Sequence, residues 1–246
     1  MWNKRVFVGA GVALCAAVLA GPIQAQELTL SLGEDGSLAD RSIQLLIVIT
    51  LLSLVPGLAI MVTCFPFLVT VFAILRQAIG LQQSPPNMLI VTLALFLTYF
   101  VMEPVFLEAW DMGISPMLDQ GMPVEEAFVA TLDPFRVFMT GRVDPDTFEA
   151  LATLRPDLDP AVPVGDAPLS ILVPTFLLSE ISRAFEVGFI IFLPFLMIDL
   201  IVAAILMSMG MMMVPPAIVS LPFKLAFFVV ADGWALLSGS LVQSYF

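Results

Sequence analysis

The chain has 246 residues, 60% hydrophobic and only 12% charged, with a mean hydropathy of +1.03 and a formal net charge of −12. A soluble globular domain carries about a quarter charged residues, so this composition describes an integral membrane protein or part of a membrane-embedded assembly. It has no histidine and only two cysteines, Cys15 and Cys64, which removes the commonest general base, the usual metal ligand and most thiol chemistry. No enzyme, metal site or cofactor is therefore expected.

Lys4 and Arg5 form a positive n-region, Val6 to Ala20 an apolar run, and Gly21 to Ala25 a cleavage region with Ala at −1 and Ile at −3. The run is short for a spanning helix, so residues 1–25 read as a cleaved signal peptide rather than an uncleaved anchor. Cleavage would leave Cys64 as the single thiol. Residues 26–107 read as an N-terminal helical hairpin behind a polar, acidic lead-in over 26–41. No residue from Ile43 to Leu75 is charged, but Pro56-Gly57 and Pro66 interrupt the run and predict a kinked or broken helix. Arg76 ends it. Leu81 to Asn87 reads as a turn, because Pro85-Pro86 blocks helix continuation and Asn87 suits the start of the next helix. A second apolar run, Met88 to Met102, continues past Glu103-Pro104 to Leu107.

Residues 108–168 read as an acidic loop or domain. Across 103–168, thirteen acidic residues stand against Arg136, Arg142 and Arg155. Short apolar clusters, Phe128-Val129 and Phe135 to Phe138, predict one or two small helices. Anionic lipid would repel so acidic a segment, and it would not bind nucleic acid.

Residues 169–246 form a C-terminal hairpin. Glu180, Arg183 and Glu186, spaced three apart, lie near one helix face and can bond along it. Inside an apolar helix they are expected to face protein, water or a partner subunit. Asp199 follows with no other charge nearby. It reads either as a proton relay or as an assembly contact with a cation, for which Lys224 is the obvious candidate. Counted at about 1.5 Å per residue from a tip near Met211 and Ala217, however, Asp199 lies about 8 Å deeper than Lys224. That count favours a contact between subunits, or a bent helix, over a pair within one chain.

Between these charges, Met207-Ser208-Met209-Gly210-Met211-Met212-Met213-Val214-Pro215-Pro216 packs five of the fourteen methionines into seven residues. Methionine is unbranched and polarizable, so the cluster reads either as core filler at a helix end or as a soft, adjustable seal. Gly210 supplies backbone freedom at the tip, and Pro215 and Pro216 set how sharply the chain turns. With Gln26 outside after signal cleavage, the Arg76 loop is cytoplasmic and the acidic segment outside. The methionine tip then points inward and the C-terminus outward.

The stretch Leu178-Ser-Glu-Ile-Ser-Arg-Ala-Phe-Glu-Val-Gly to Asp199-Leu200 resembles the FliP family of type III secretion. So do the methionine tip, Ser220-Leu-Pro-Phe-Lys224, Asp232-Gly-Trp234, and Leu75-Arg-Gln-Ala78 with Gln82-Gln-Ser-Pro-Pro-Asn87. The resemblance implies an all-α membrane protein of kinked helical hairpins with an acidic periplasmic helical loop or domain. It also implies a non-enzymatic subunit of the flagellar export gate, in the bacterial inner membrane and the basal body. Several copies would assemble there with FliQ, FliR and an FlhB-type subunit into a helical channel that unfolded export substrates traverse. By the same resemblance Met209, Met211, Met212 and Met213 form a gasket around the narrowest part of the pore, and much apolar surface packs against neighbouring subunits rather than lipid. One departure is visible: where the family often has a Thr-Arg pair, this chain reads Cys64-Phe65-Pro66-Phe67, so a contact made by that arginine is absent or supplied elsewhere. Two alternatives stand beside this reading. One is the equivalent subunit of a virulence injectisome, against which the signal peptide speaks. The other is a secondary transporter or proton channel with Asp199 titrating, which the broken helices fit and the missing repeat symmetry does not.

Overall fold

A computed structural model describes residues 59–81, 85–156, 162–211 and 213–246, with scattered positions from 43 to 57. The expected signal peptide, residues 1–25, lies outside the described residues, as does Met212. The chain divides into two compact units, Met1–Leu51 and Leu52–Phe246. In the first, the described positions from Ile43 to Thr50 are helical, and Thr50 Oγ1 donates back to the Leu46 carbonyl at 2.6 Å.

The second unit is helical throughout its described regular structure. A helical stretch ends at Met61, and α1 (Phe65–Ile79) restarts after the turn at Val62–Cys64. Pro66 stands in the first turn of α1, where a missing N–H costs nothing. The break expected from Pro66 is thus present. Helix α2 (Asn87–Ala109) runs without interruption through Pro104 into a π-helical turn (Trp110–Ile114) and α3 (Ser115–Asp119). The acidic segment then forms α4 (Val124–Thr140) and α5 (Pro145–Ala152), followed by a 3₁₀ turn (Val164–Asp166). Asp144 caps α5: its carboxylate accepts from the Thr147 N–H at 2.9 Å and from the Thr147 hydroxyl at 2.7 Å. Helix α6 (Leu169–Ser208) is continuous over 40 residues despite Pro174 and Pro194, and α7 (Pro216–Val230) and α8 (Gly233–Gln243) complete the chain.

The core is built around α1, which buries Phe67, Leu68, Val71, Phe72, Leu75 and Ala78 and packs chiefly against α6 and α2. Those positions recur at three- and four-residue spacing, so the apolar stripe wraps far round the helix. At Gly188 a Cβ atom would lie 2.4 Å from Ile74 Cδ1, so only glycine lets α6 approach α1 this closely.

Among the described residues two helical segments, Asn87–Asp119 and Leu169–Ser208, are long and apolar enough to cross a membrane, and α7 with α8 makes a third if that bent pair is one span. At 1.5 Å per residue α6 is about 60 Å long, roughly twice a hydrocarbon core of about 30 Å, so part of it stands clear of lipid. The packing sorts the loops into two ends. Lys224 of α7 bonds to the Ala78 carbonyl, and Arg76 and Ala217 line one groove, which joins the end of α1 to the base of the methionine tip. At the opposite end Arg142 of the α4–α5 turn bonds to the Ser244 carbonyl, and Tyr245 reaches Glu180.

Candidate functional site

The methionine tip follows from how α6 stops. The Gly210 N–H donates to the Met207 carbonyl at 3.0 Å and the Met211 N–H to the Leu206 carbonyl at 3.0 Å, while Gly210 takes a φ of +75°. This paired closure, with glycine in the left-handed conformation just past the helix, satisfies carbonyls the helix would otherwise leave bare. Pro215 then starts the return in an extended conformation, and Pro216 opens α7 at a position that needs no N–H. Between them three methionine side chains face outward: Met213 is 98% exposed, Met209 65% and Met211 38%. Among the described residues no core covers these three, which speaks against core filler. Beneath the tip, Ile201, Ile205, Val219 and Phe223 line an apolar groove of about 360 Å³ between α6 and α7.

The base of the tip is polar. Lys224 Nζ lies 2.6 Å from Asp199 Oδ2 and also donates to the Ala78 carbonyl at 3.0 Å, while the Ser220 hydroxyl donates to Asp199 Oδ1 at 2.6 Å. Lys224 is only 6% exposed. The pair lies within one chain, which corrects the sequence-based count that set the two residues about 8 Å apart in depth. The count treated Met209 to Met211 as helical rise, but α6 ends at Ser208 and the seven residues 209–215 form the turn. Measured from the observed helix ends, Asp199 lies about 13 Å and Lys224 about 12 Å from the turn, which puts them level. Both carboxylate oxygens of Asp199 are engaged, as befits a structural contact. Ser220 had not been singled out, yet its place four residues before Lys224 puts it on the same helix face.

Glu180 lies about three turns into α6 from its N-terminal end and is fully buried. Arg142 Nε donates to its Oε1 at 3.0 Å, the Tyr245 hydroxyl donates to its Oε2, and Arg183 stands off at 3.9 Å. Glu186 is exposed and forms no ion pair among the described residues. The three charges spaced along α6 thus have different environments, since three-residue steps rotate each about 60° from the last. The principal partner of Glu180 is Arg142, 38 residues earlier. The Arg142 guanidinium lies 4.1 Å from the centre of the Tyr245 ring and 5.9 Å from that of Phe67, and the two rings meet edge to face at 5.7 Å. Position 67 therefore carries no charge, but a guanidinium from elsewhere in the chain stands over it. Burial, then the Glu180 charge, pushes the Tyr245 phenol well above its ordinary range.

Residues 48–241 match the model of the FliP family. The chain is 48% identical over 231 residues to a protein named flagellar biosynthetic protein FliP from Caulobacter vibrioides, covering 94% of this chain and 86% of that one. A protein of the same name from Rhizobium meliloti is 48% identical over 86% of each chain, and one from Bacillus subtilis 41% identical over 86% of this chain and 95% of its own.

Proposed function

The chain belongs to the FliP family, and we propose that it serves as a non-enzymatic subunit of the flagellar protein export gate. In this reading several copies join FliQ, FliR and an FlhB-type subunit in the inner membrane, at the flagellar basal body, and form a channel for unfolded export substrates. The names of its relatives favour the flagellar over the injectisome branch. Residues 1–25 act as a cleaved signal peptide, and the acidic segment and the C-terminal tail share the periplasmic end. N-terminal sequencing of the mature protein tests the cleavage.

The observation that carries the mechanism is the contrast between the tip and its base. Met209, Met211 and Met213 stand outside the core of the described residues, on a turn whose base is held by a partly buried Lys224–Asp199–Ser220 network. A stiff stem carrying soft, exposed thioethers is suited to close around a polypeptide of varying side chains. We assign the gasket to Met209, Met211, Met212 and Met213. Shortening all four to Ala in the assembled complex is expected to make resting membranes leak small solutes. Unchanged permeability with normal assembly would remove the gasket assignment. Asp199→Asn separates this reading from a proton-coupled transporter, because a relay loses proton-coupled activity even when the complex assembles.

A further inference from the structure

The last helix is held mainly at its two ends. Along its length α8 buries only Gly233 and Leu241, with Leu237 partly buried at the edge of the core. It leaves α7 at a bend of 61°, where Asp232 takes a φ of 47° and a Cβ on Gly233 would lie 2.2 Å from the Phe228 ring. Phe228 meets Trp234 edge to face at 5.5 Å, and the Trp234 ring lies 6.2 Å from that of Phe72, so this elbow is fixed against α1. Past the other end, Ser244 and Tyr245 make the attachments. The Ser244 carbonyl accepts from Arg142 Nη1 at 3.2 Å, and the Tyr245 hydroxyl donates to the buried Glu180. The Tyr245 ring stacks on Phe138 at 6.1 Å, meets Phe67 edge to face at 5.7 Å and carries the Arg142 guanidinium at 4.1 Å. Two residues thus tie the tail to α1, α4, the α4–α5 turn and α6.

This attachment is incomplete. Arg142 places Nε on Glu180 and Nη1 on Ser244, but its Nη2 is buried and has no hydrogen-bond partner among the described residues. A buried donor left unpaired costs about as much as a hydrogen bond to a charged group contributes. The orphaned Nη2 therefore offsets much of the Tyr245–Glu180 bond. Lifting the tail lets water reach Nη2, while the Arg142–Glu180 pair stays in place. A buried network satisfied only in part leaves two such arrangements close in free energy. The elbow holds one end of α8, and little packing along the helix resists movement of the other.

We propose that Ser244-Tyr245 is a releasable latch. Closed, it seals Glu180 and fastens the C-terminal arm to the acidic segment; open, it frees the two to move separately. The latch rests on the contacts of this cluster and not on the gasket assignment. Cys64 supplies a native reporter of its state. The thiol is fully buried in the same cluster, within electrostatic reach of Glu180, Arg142 and Tyr245. Ala78 is equally buried but lies about 21 Å further along α1, away from the tail.

The test measures N-ethylmaleimide labelling of the full chain in detergent micelles, in a Cys15→Ala background that leaves Cys64 as the one thiol. Parent Cys64 is expected to label slowly, at a rate proportional to reagent concentration. It should label faster than the cysteine of a control chain carrying Ala78→Cys with Cys64→Ala. Tyr245→Phe keeps the ring and its stacking but loses the hydroxyl bond. It is expected to raise Cys64 labelling about tenfold or more and to leave labelling of the Ala78→Cys control unchanged. Equal increases at both positions would mean unfolding of the whole chain and would overturn the latch. So would a parent Cys64 that labels no faster than the control, or a Cys64 rate indifferent to Tyr245→Phe.

Discussion

Lys224→Met and Asp199→Asn remove opposite halves of one ion pair, and the structure predicts that they do not cost the same. Asp199→Asn strands Lys224, whose side chain is 7% exposed. Leaving a buried charge without its counterion costs about 3–5 kcal/mol, and the retained bond to the Ala78 carbonyl places this case near the lower end, at about 3 kcal/mol. Lys224→Met strands Asp199 instead, whose side chain is 31% exposed and keeps the Ser220 hydroxyl at 2.6 Å. Water then replaces much of the lost partner, so the cost falls to about 1–2 kcal/mol. The difference of about 1.5 kcal/mol is roughly tenfold in the unfolding equilibrium. Combining Lys224→Met with Asp199→Leu is expected to recover most of the loss, because an apolar pair often replaces a buried ion pair at little cost. Ser220 would keep its 3.2 Å bond to the Ala217 carbonyl. Reversible unfolding in detergent micelles, followed by near-ultraviolet circular dichroism, measures all three. The reasoning fails if Lys224→Met is the costlier single change, or if both cost less than about 0.5 kcal/mol.

Three further outcomes follow from particular contacts. Phe67→Arg places a second cation beside the Arg142 guanidinium, 5.9 Å from the Phe67 ring centre, in a buried site; it is expected to destabilise the chain by about 3 kcal/mol or more, with partial rescue by Arg142→Gln, read as unfolding midpoints. Gly210→Ala forces a Cβ into the left-handed region at φ +75° and is expected to cost about 1 kcal/mol, with faster amide exchange at Met211 whose N–H closes the helix end. The Thr147 hydroxyl, then the Thr147 backbone N–H, holds the Asp144 carboxyl below its usual value. A depressed acid stabilises the fold above its unfolded value, about 3.9, and that contribution is lost as pH falls through the lower folded value. Acidification is therefore expected to speed amide exchange at Thr147 only at pH well below 4, and Thr147→Val to move that onset upward.

The parts of the structure legible in the sequence were those governed by local rules. Pro66 and Pro216 restart helices at positions that need no N–H, and Gly210 sits where the chain requires positive φ. Asp232-Gly233 is a turn dipeptide, but apolar residues flank it on both sides, so reading 169–246 as a single hairpin places no bend there. Lys224 is the obvious cation for Asp199 in the sequence, but counting along the helices disfavours a pair within one chain for an arithmetic reason, because it places the helix end about three residues too late. Arg142 was missed for a physical one. A buried glutamate demands a cation, yet nothing local in the sequence says which of the arginines in an acidic segment crosses 38 residues to reach Glu180. Tyr245 and Phe67, which wall in that guanidinium, likewise come together only in the folded chain.

The two arms of the C-terminal hairpin differ in what can surround them. Beyond the exposed Glu186, α6 runs from Val187 to Ser208, about 33 Å, enough to cross a hydrocarbon core of about 30 Å. That crossing includes Asp199, and an unpaired carboxylate at its depth would cost about 3 kcal/mol in lipid. The Lys224 contact thus serves twice, bracing the tip and making the long arm tolerable in an apolar environment. The return arm is different. α7 has 15 residues, about 22 Å, and ends at the Asp232 elbow with its carboxylate exposed. It is too short to cross alone, and its far end carries a charge and unpaired backbone groups that lipid cannot satisfy. A hairpin with one arm suited to an apolar surround and the other needing polar partners at its far end fits a wall between protein subunits better than a free transmembrane pair. The same asymmetry supports the proposed gate assembly, in which neighbouring subunits would supply the surfaces that complete this hairpin and cover its exposed methionines.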